Sequence, residues 1–246
     1  MASSIQPHIL FNGRNGLRGD FATPEQHLTP PVPWRPWEAC VTLNNSWGFH
    51  KGDYEWKTPS QIVEMLAMVA AGCGNLLLNI GLKCDGSVPE QSASVLERVG
   101  DWLSCHGECI YNTDSFTFNA QQTNSSFETT SNYRGDWTHH GPLTARGNNL
   151  YWFLRRWPGC QVTLAGLGCR VCEIRLCGDR NTLSYVQNHD RVVVTGLPEN
   201  PPDAVCPILC FVCDRPPFLY LCGGLRTPNT FHPRYDPLPT MNPNGL

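Results

Sequence analysis

The chain has 246 residues, enough for one large domain or two ordinary ones and for a sizeable core. Its 18 Lys and Arg against 21 Asp and Glu give a net charge of -3, so it lacks the basic footprint that phosphate backbones or anionic lipid would select. Charged residues make up only 16%, and 22 Gly with 21 Pro call for many turns and loops.

The opening residues, MASSIQPHILFNGR, contain neither a basic n-region nor an apolar h-region and do not read as a secretory signal. No apolar run is long enough to span a membrane, and neither membrane nor nucleic acid is an expected partner. With 13 Cys, an odd number, at least one thiol is unpaired within the chain, and the count leaves the compartment open.

Up to about residue 113 the pattern alternates strand-like and helix-like segments, as parallel βα units do. His8-Ile9-Leu10-Phe11, Ala39-Cys40-Val41-Thr42-Leu43 and Gly74-Asn75-Leu76-Leu77-Leu78-Asn79-Ile80-Gly81 are the expected strands. The unbroken apolar centre of the third suits a strand covered on both faces. Thr58-Pro59-Ser60-Gln61 reads as a capping box opening a helix through Ile62, Met65, Leu66 and Val69, stopped by Gly72. Ser87-Val88-Pro89-Glu90 reads as a second, leading through Val95, Leu96, Val99, Trp102 and Leu103 to Gly107.

From about residue 114 the chain turns to short β-rich segments separated by Gly, Pro, Asn and Asp, the pattern of an antiparallel sandwich. They are Leu150 to Trp157, Gln161 to Leu164, Val171 to Leu176, Leu183 to Gln187, Arg191 to Thr195 and Pro207 to Val212. Residues 215–246 are Pro-rich and patternless and are expected to be a disordered tail.

The blocks Phe11-Asn12-Gly13-Arg14, Gly19 to Gln26, Trp37 to Phe49 and Gly74 to Gly81 occur in this order, followed by Asp85-Gly86 and Gly107-Glu108-Cys109-Ile110-Tyr111. Together they resemble the retaining α-L-fucosidases, specifically over residues 8–113. The resemblance continues more weakly through Asn149-Leu150-Tyr151, Trp157-Pro158-Gly159 and Gly196-Leu197-Pro198. It implies an α/β plus all-β fold: the C-terminal portion of a (β/α)8 glycosidase barrel over residues 1–113, then a β-sandwich over 114–214. A full barrel takes about 250 residues, so roughly half of it is missing from this chain.

The resemblance also implies chemistry: hydrolysis of terminal α-L-fucose from fucosylated oligosaccharides or glycoconjugates, by a retaining mechanism. Such enzymes need a nucleophilic carboxylate and a general acid/base about 5 Å apart. Glu25 matches the family's acid/base position. Arg14 matches an arginine that binds the fucose ring and the nearby carboxylate, and its fork of donors suits both tasks. Trp47 matches an aromatic that packs on the sugar, whose 6-deoxy methyl offers an apolar face. Trp37 and Glu38 belong to the same block and are expected to be structural. No residue here matches the family's nucleophilic Asp: Asp20, Asp53 and Asp85 read as turn or cap residues. The lone chain is therefore expected to be inactive until a partner chain or an N-terminal segment completes the barrel. No cofactor or metal is implied. Full-length relatives are expected to be secreted, periplasmic or lysosomal, while the compartment of this chain stays unknown.

Two other readings stay open. One is a non-catalytic carbohydrate-binding or interaction protein that keeps the sandwich and a remnant sugar surface. The other is a zinc-stabilised β module, since Cys169-Arg170-Val171-Cys172 and Cys210-Phe211-Val212-Cys213 have four-thiolate spacing. Both pairs lie in strand-like runs, where positions i and i+3 point to opposite faces, and this argues against a shared site.

Overall fold

The computed structural model describes residues 2–16, 19–28, 36–72, 74–116 and 141–218. Most of the expected tail lies outside the described residues. A single helical turn, α1 (Ala2–Ile5), precedes a parallel pair, β1 (Trp37–Thr42) and β2 (Gly74–Asn79), connected through α2 (Pro59–Ala71). Helix α3 (Glu90–His106) follows and runs into a 3-10 turn at Gly107–Cys109.

Helix α2 starts where its sequence says it should. Thr58 accepts from Gln61 N, Gln61 reaches back to Thr58 N, and Pro59 supplies the first helical residue. The second expected capping box does not form. Pro89 occupies the N-cap of α3, and Ser87 instead donates through both backbone and hydroxyl to Asp85 Oδ1, closing a turn upstream of the helix.

The expected strand at His8 to Phe11 is also absent. Phe11 N donates to Asp20 Oδ2 and Asp20 N to Phe11 O, and only one parallel bridge, Asn12 to Phe21, forms beside them, so no ladder develops. Asn12 then caps a 3-10 turn, Gly13–Asn15. In its place a segment that reads as a loop, residues 22–26, runs parallel to β1. Ala22 N donates to Pro36 O, Glu38 N to Ala22 O, Cys40 N to Pro24 O and Gln26 N to Cys40 O. Pro24 has no N–H, so one rung is lost and the segment remains a set of isolated bridges.

The rest forms two antiparallel sheets. One has the order β3 (Asp114–Phe116), β4 (Leu143–Arg146), β5 (Asn149–Phe153), β10 (Ile208–Cys213), β7 (Val171–Leu176). The other has the order β6 (Gln161–Leu164), β9 (Arg191–Thr195), β8 (Ser184–Asn188). All six expected segments contain strands; β3 and β4 are additional.

The five-stranded sheet is buried on both faces, which explains the near-continuous apolar runs of β5 and β10. Leu150, Trp152, Leu209 and Phe211 face the three-stranded sheet and meet Val162, Leu164, Val192 and Val194 in one core. Tyr151, Phe153, Ile208 and Cys210 face the other way and join Trp37, Ala39, Val41, Ile62, Val69 and Trp102 in a second. Phe218 belongs to the first core, so the expected tail's first residues are part of the fold.

Polar contacts stitch the helices to this central wall. Arg155 pairs with Glu64 on α2 at 2.7 Å, Trp102 Nε1 donates to Cys206 O, and Ser60 Oγ donates to Ala204 O. His106 on α3 faces Asp203 at 3.5 Å.

Strand β2 departs from the expectation of cover on both faces. Leu76 and Leu78 pack into the helix-side core, but Leu77 on the opposite face is 50% exposed. Among the described residues nothing covers that face.

Candidate active site

The parallel strands share one direction, so their C-terminal ends lie together, and the sequence-predicted residues gather there. Glu25 bridges Cys40 in register, and Cys40 in turn pairs with Leu77. Partners in register point the same way, so Glu25, Cys40 and Leu77 form a row across the uncovered face. Arg14, just past the Asn12 cap, forms an ion pair with Glu25 through Nη1 and Oε1. That hydrogen bond, chiefly, holds the Arg14 guanidinium above its usual value against the pull of lost solvation. Both side chains are more than two-fifths exposed, at 43% and 47%. Such an exposed pair contributes only about 0–1 kcal/mol to stability, so the fold does not depend on it.

Next to Glu25, Gln26 adopts φ 58, the left-handed region that a non-glycine residue seldom enters. The strain ends the segment and turns the side chain back onto β1: Nε2 donates to Thr42 Oγ1 at 3.1 Å and Oε1 accepts from Thr42 N at 3.3 Å. Gln26 thus anchors the Glu25 backbone to the end of β1. Sequence reasoning missed it, because neither its type nor its spacing signals that role.

Trp47 stands on the loop after β1, at the same end of the sheet, with 45% exposure. Asn79, the last residue of β2, donates from Nδ2 to Trp47 O at 2.7 Å. Gly81 lets the two loops touch, since a Cβ there would come within 2.5 Å of Gly48 C. No hydrogen bond joins Trp47 to Arg14 or Glu25 among the described residues. The structure brings Arg14 and Glu25 into contact and sets Trp47 on the adjoining loop.

Asp53 organises that loop. It accepts from Asn45 N at 3.0 Å, Ser46 Oγ at 2.9 Å and Glu55 N at 3.2 Å. Burial pushes its carboxyl up, but these hydrogen bonds and nearby His50 outweigh it and hold it below the usual carboxylate range. Asp20 and Asp85 likewise spend an oxygen on backbone N–H groups. Trp37 Nε1 donates to Gly72 O and its ring fills the core, in keeping with a structural part.

The two C-x-x-C pairs divide as strand parity demands. Cys169 and Cys213 lie in the core between the sheets, Cys210 lies in the helix-side core, and Cys172 is exposed. They do not converge on one point. Among the described residues no disulfide is present, and no helix is long and apolar enough to cross a membrane.

A family described as Alpha-L-fucosidase matches residues 2–108 of this chain. Over this segment the chain is similar to the α-L-fucosidases. The α-L-fucosidase of Dictyostelium discoideum is 31% identical over 140 residues, half of this chain and 30% of that protein. Human tissue α-L-fucosidase is 25% identical over 214 residues, covering 82% of this chain but 43% of the relative. Among solved structures, α-L-fucosidase isoenzyme 1 from Paenibacillus thiaminolyticus superposes with a TM-score of 0.71 at 30% identity, over 87% of this chain and 52% of its own. The chain therefore spans about half the length, or less, of these fucosidases.

Proposed function

We propose that this chain is the C-terminal portion of a retaining α-L-fucosidase. In this reading residues 1–113 form the closing part of a (β/α)8 barrel, residues 114–214 its β-sandwich, and the remainder a tail. The observation that carries the reading is the Arg14–Glu25 pair on the open end of the parallel strands, inside the segment that matches the family. The uncovered face of β2 supports it. In a closed barrel one side of each strand packs on helices, as Leu76 and Leu78 do, and the other fills the interior, where Leu77 would belong.

The reaction is a double displacement on a terminal α-L-fucoside. A carboxylate on the half of the barrel not contained here attacks the anomeric carbon, while Glu25 protonates the departing glycosidic oxygen. Glu25 then takes a proton from water, which attacks the same carbon and releases fucose with its configuration retained. Arg14, at hydrogen-bond reach of Glu25, offers its fork of donors to the fucose ring and to the nearby carboxylate of the other half. Trp47 presents its exposed ring to the apolar face around the 6-deoxy methyl. Asp53 and Asn79 hold the loop that carries it.

The test is completion. The chain is mixed with, or fused to, the N-terminal portion of a full-length α-L-fucosidase, and hydrolysis of α-L-fucosides is followed with the anomer released. Retaining turnover that falls about 10²–10⁴-fold in Glu25→Gln is the expected result. Turnover indifferent to Glu25→Gln would contradict the assignment. Fucose binding without turnover in the completed protein would favour a carbohydrate-binding role instead.

A further inference from the structure

The fold assembles a thiol cluster that no sequence spacing announces. Cys109 closes the 3-10 turn after α3, Cys177 follows β7 and Cys210 lies within β10. The Cys109 and Cys177 sulfurs are 3.7 Å apart, and a carboxylate oxygen of Glu108 lies within 4.8 Å of both.

We propose that Cys109, Cys177 and Glu108 form a binding site for a thiophilic, tetrahedrally coordinating divalent cation such as Zn2+. The spacing carries the proposal. Two sulfurs each about 2.3 Å from zinc, at a tetrahedral angle, lie about 3.75 Å apart, which the two thiols already match. A disulfide needs about 2.05 Å, so they would have to close by more than an ångström, and Glu108 would take no part.

The surroundings fit a structural site. Thr144 Oγ1 donates to Cys109 O at 2.6 Å and Cys177 N donates to Ile208 O at 2.9 Å, so both backbones are fixed before any ion arrives. Cys109 is buried, Cys177 half-buried and Glu108 exposed, which leaves a carboxylate at the solvent side as the point of entry. Arg175 interacts electrostatically with Cys177, Cys210 and Glu108, and would offset the surplus negative charge of several anionic ligands. On binding, the S–H bonds of Cys109 and Cys177 break, their protons leave to solvent and both sulfurs donate to the cation; no electron is transferred. The bound ion would lock the turn after α3 to the end of β7.

The experiment uses the whole chain, reduced and stripped with a chelator, then titrated with Zn2+ against a colorimetric competitor and with Co2+ as a spectroscopic probe. Expected are one equivalent bound, thiolate-to-cobalt charge-transfer bands and a raised Tm. Cys109→Ser and Cys177→Ser lose the bands, while Cys105→Ser and Cys172→Ser, at exposed thiols, keep them. If the first two variants do not fold, alkylation of the unaltered chain decides: Zn2+ must protect Cys109 and Cys177. Failure to take up either ion, binding that survives Cys177→Ser but not Cys169→Ser, or a Cys109–Cys177 disulfide in the non-reduced chain would overturn the proposal.

Discussion

The two-sheet region and the parallel-strand region solve the problem of burial differently. Across residues 143–213 each apolar strand face meets another, and Leu150, Trp152, Leu164, Ile174, Val192 and Phe211 are wholly enclosed. The parallel strands enclose only one face. Their helix-side core is completed by Tyr151, Phe153, Ile208 and Cys210 from the central sheet, while Leu77 stays exposed on the other and Trp47 and Phe49 on the loop after β1. One region stabilises itself. The other leans on it and keeps an open surface where the Arg14–Glu25 pair stands.

The strongest way to break the comparison is at the shared wall. Phe153 is fully buried and its ring lies 6.4 Å from that of Trp102. Phe153→Ala should cost about 3–5 kcal/mol in denaturant unfolding and should loosen the parallel-strand region first. Hydrogen exchange that rises equally throughout the two sheets would show that the regions are not so divided.

A smaller effect, with a pH signature, is expected at the seam between α3 and β10. Burial raises the Asp203 carboxyl, but His106 and the N–H groups of Val205, at 2.6 Å, and Cys206, at 2.9 Å, outweigh it and hold it below its usual range. A lowered native pKa stabilises above the unfolded value and is lost as pH falls through the native one. Asp203→Asn should therefore cost about 1–2 kcal/mol at neutral pH. The gap between the proteins should close below about pH 4, and urea midpoints across pH check it. A gap independent of pH would make the contact purely steric.

Thiol chemistry sharpens the same division. Burial, with the nearby Asp203 and Glu64 charges, pushes the Cys206 thiol up to about 12, so it should resist alkylation at pH 8. Exposed Cys84, Cys105, Cys160 and Cys172 should label within the same interval, as peptide mass spectrometry would record.

The smallest stability effect is expected on the open face. Leu77→Lys should change unfolding free energy by no more than about 0.5 kcal/mol yet reduce self-association, since the β2 edge and its exposed apolar residues invite it. Light scattering and urea titration together test this. A large loss of stability would mean that the face is covered in solution.

Local signals carried far in some places and failed where distant partners decide. Helix α2 follows from Thr58, Pro59 and Gln61 alone, because a capping box is completed within four residues. At Ser87 the same motif yields to Asp85, a nearer acceptor, and to Pro89, which takes the cap. The parallel segment at residues 22–26 is hidden by Pro24, and β4 by its four residues, whose pairing is set by β5. The roles proposed for Glu25, Arg14 and Trp47 came from motif resemblance, since single charged or aromatic residues are uninformative by type. The contact of Arg14 with Glu25, the Gln26 anchor and the meeting of Cys109 with Cys177 are products of tertiary structure.

The central claim is that Glu25 is the proton donor of a fucosidase site that this chain supplies in part. The direct test is leaving-group dependence in the completed protein, comparing Glu25→Ala with the unaltered chain on natural fucosides and on activated aryl fucosides. A good leaving group needs little protonation, so the loss should be far larger on natural fucosides, within the roughly 10²–10⁴-fold that acid–base catalysis contributes. Equal losses on both would contradict the claim and assign the proton to another residue.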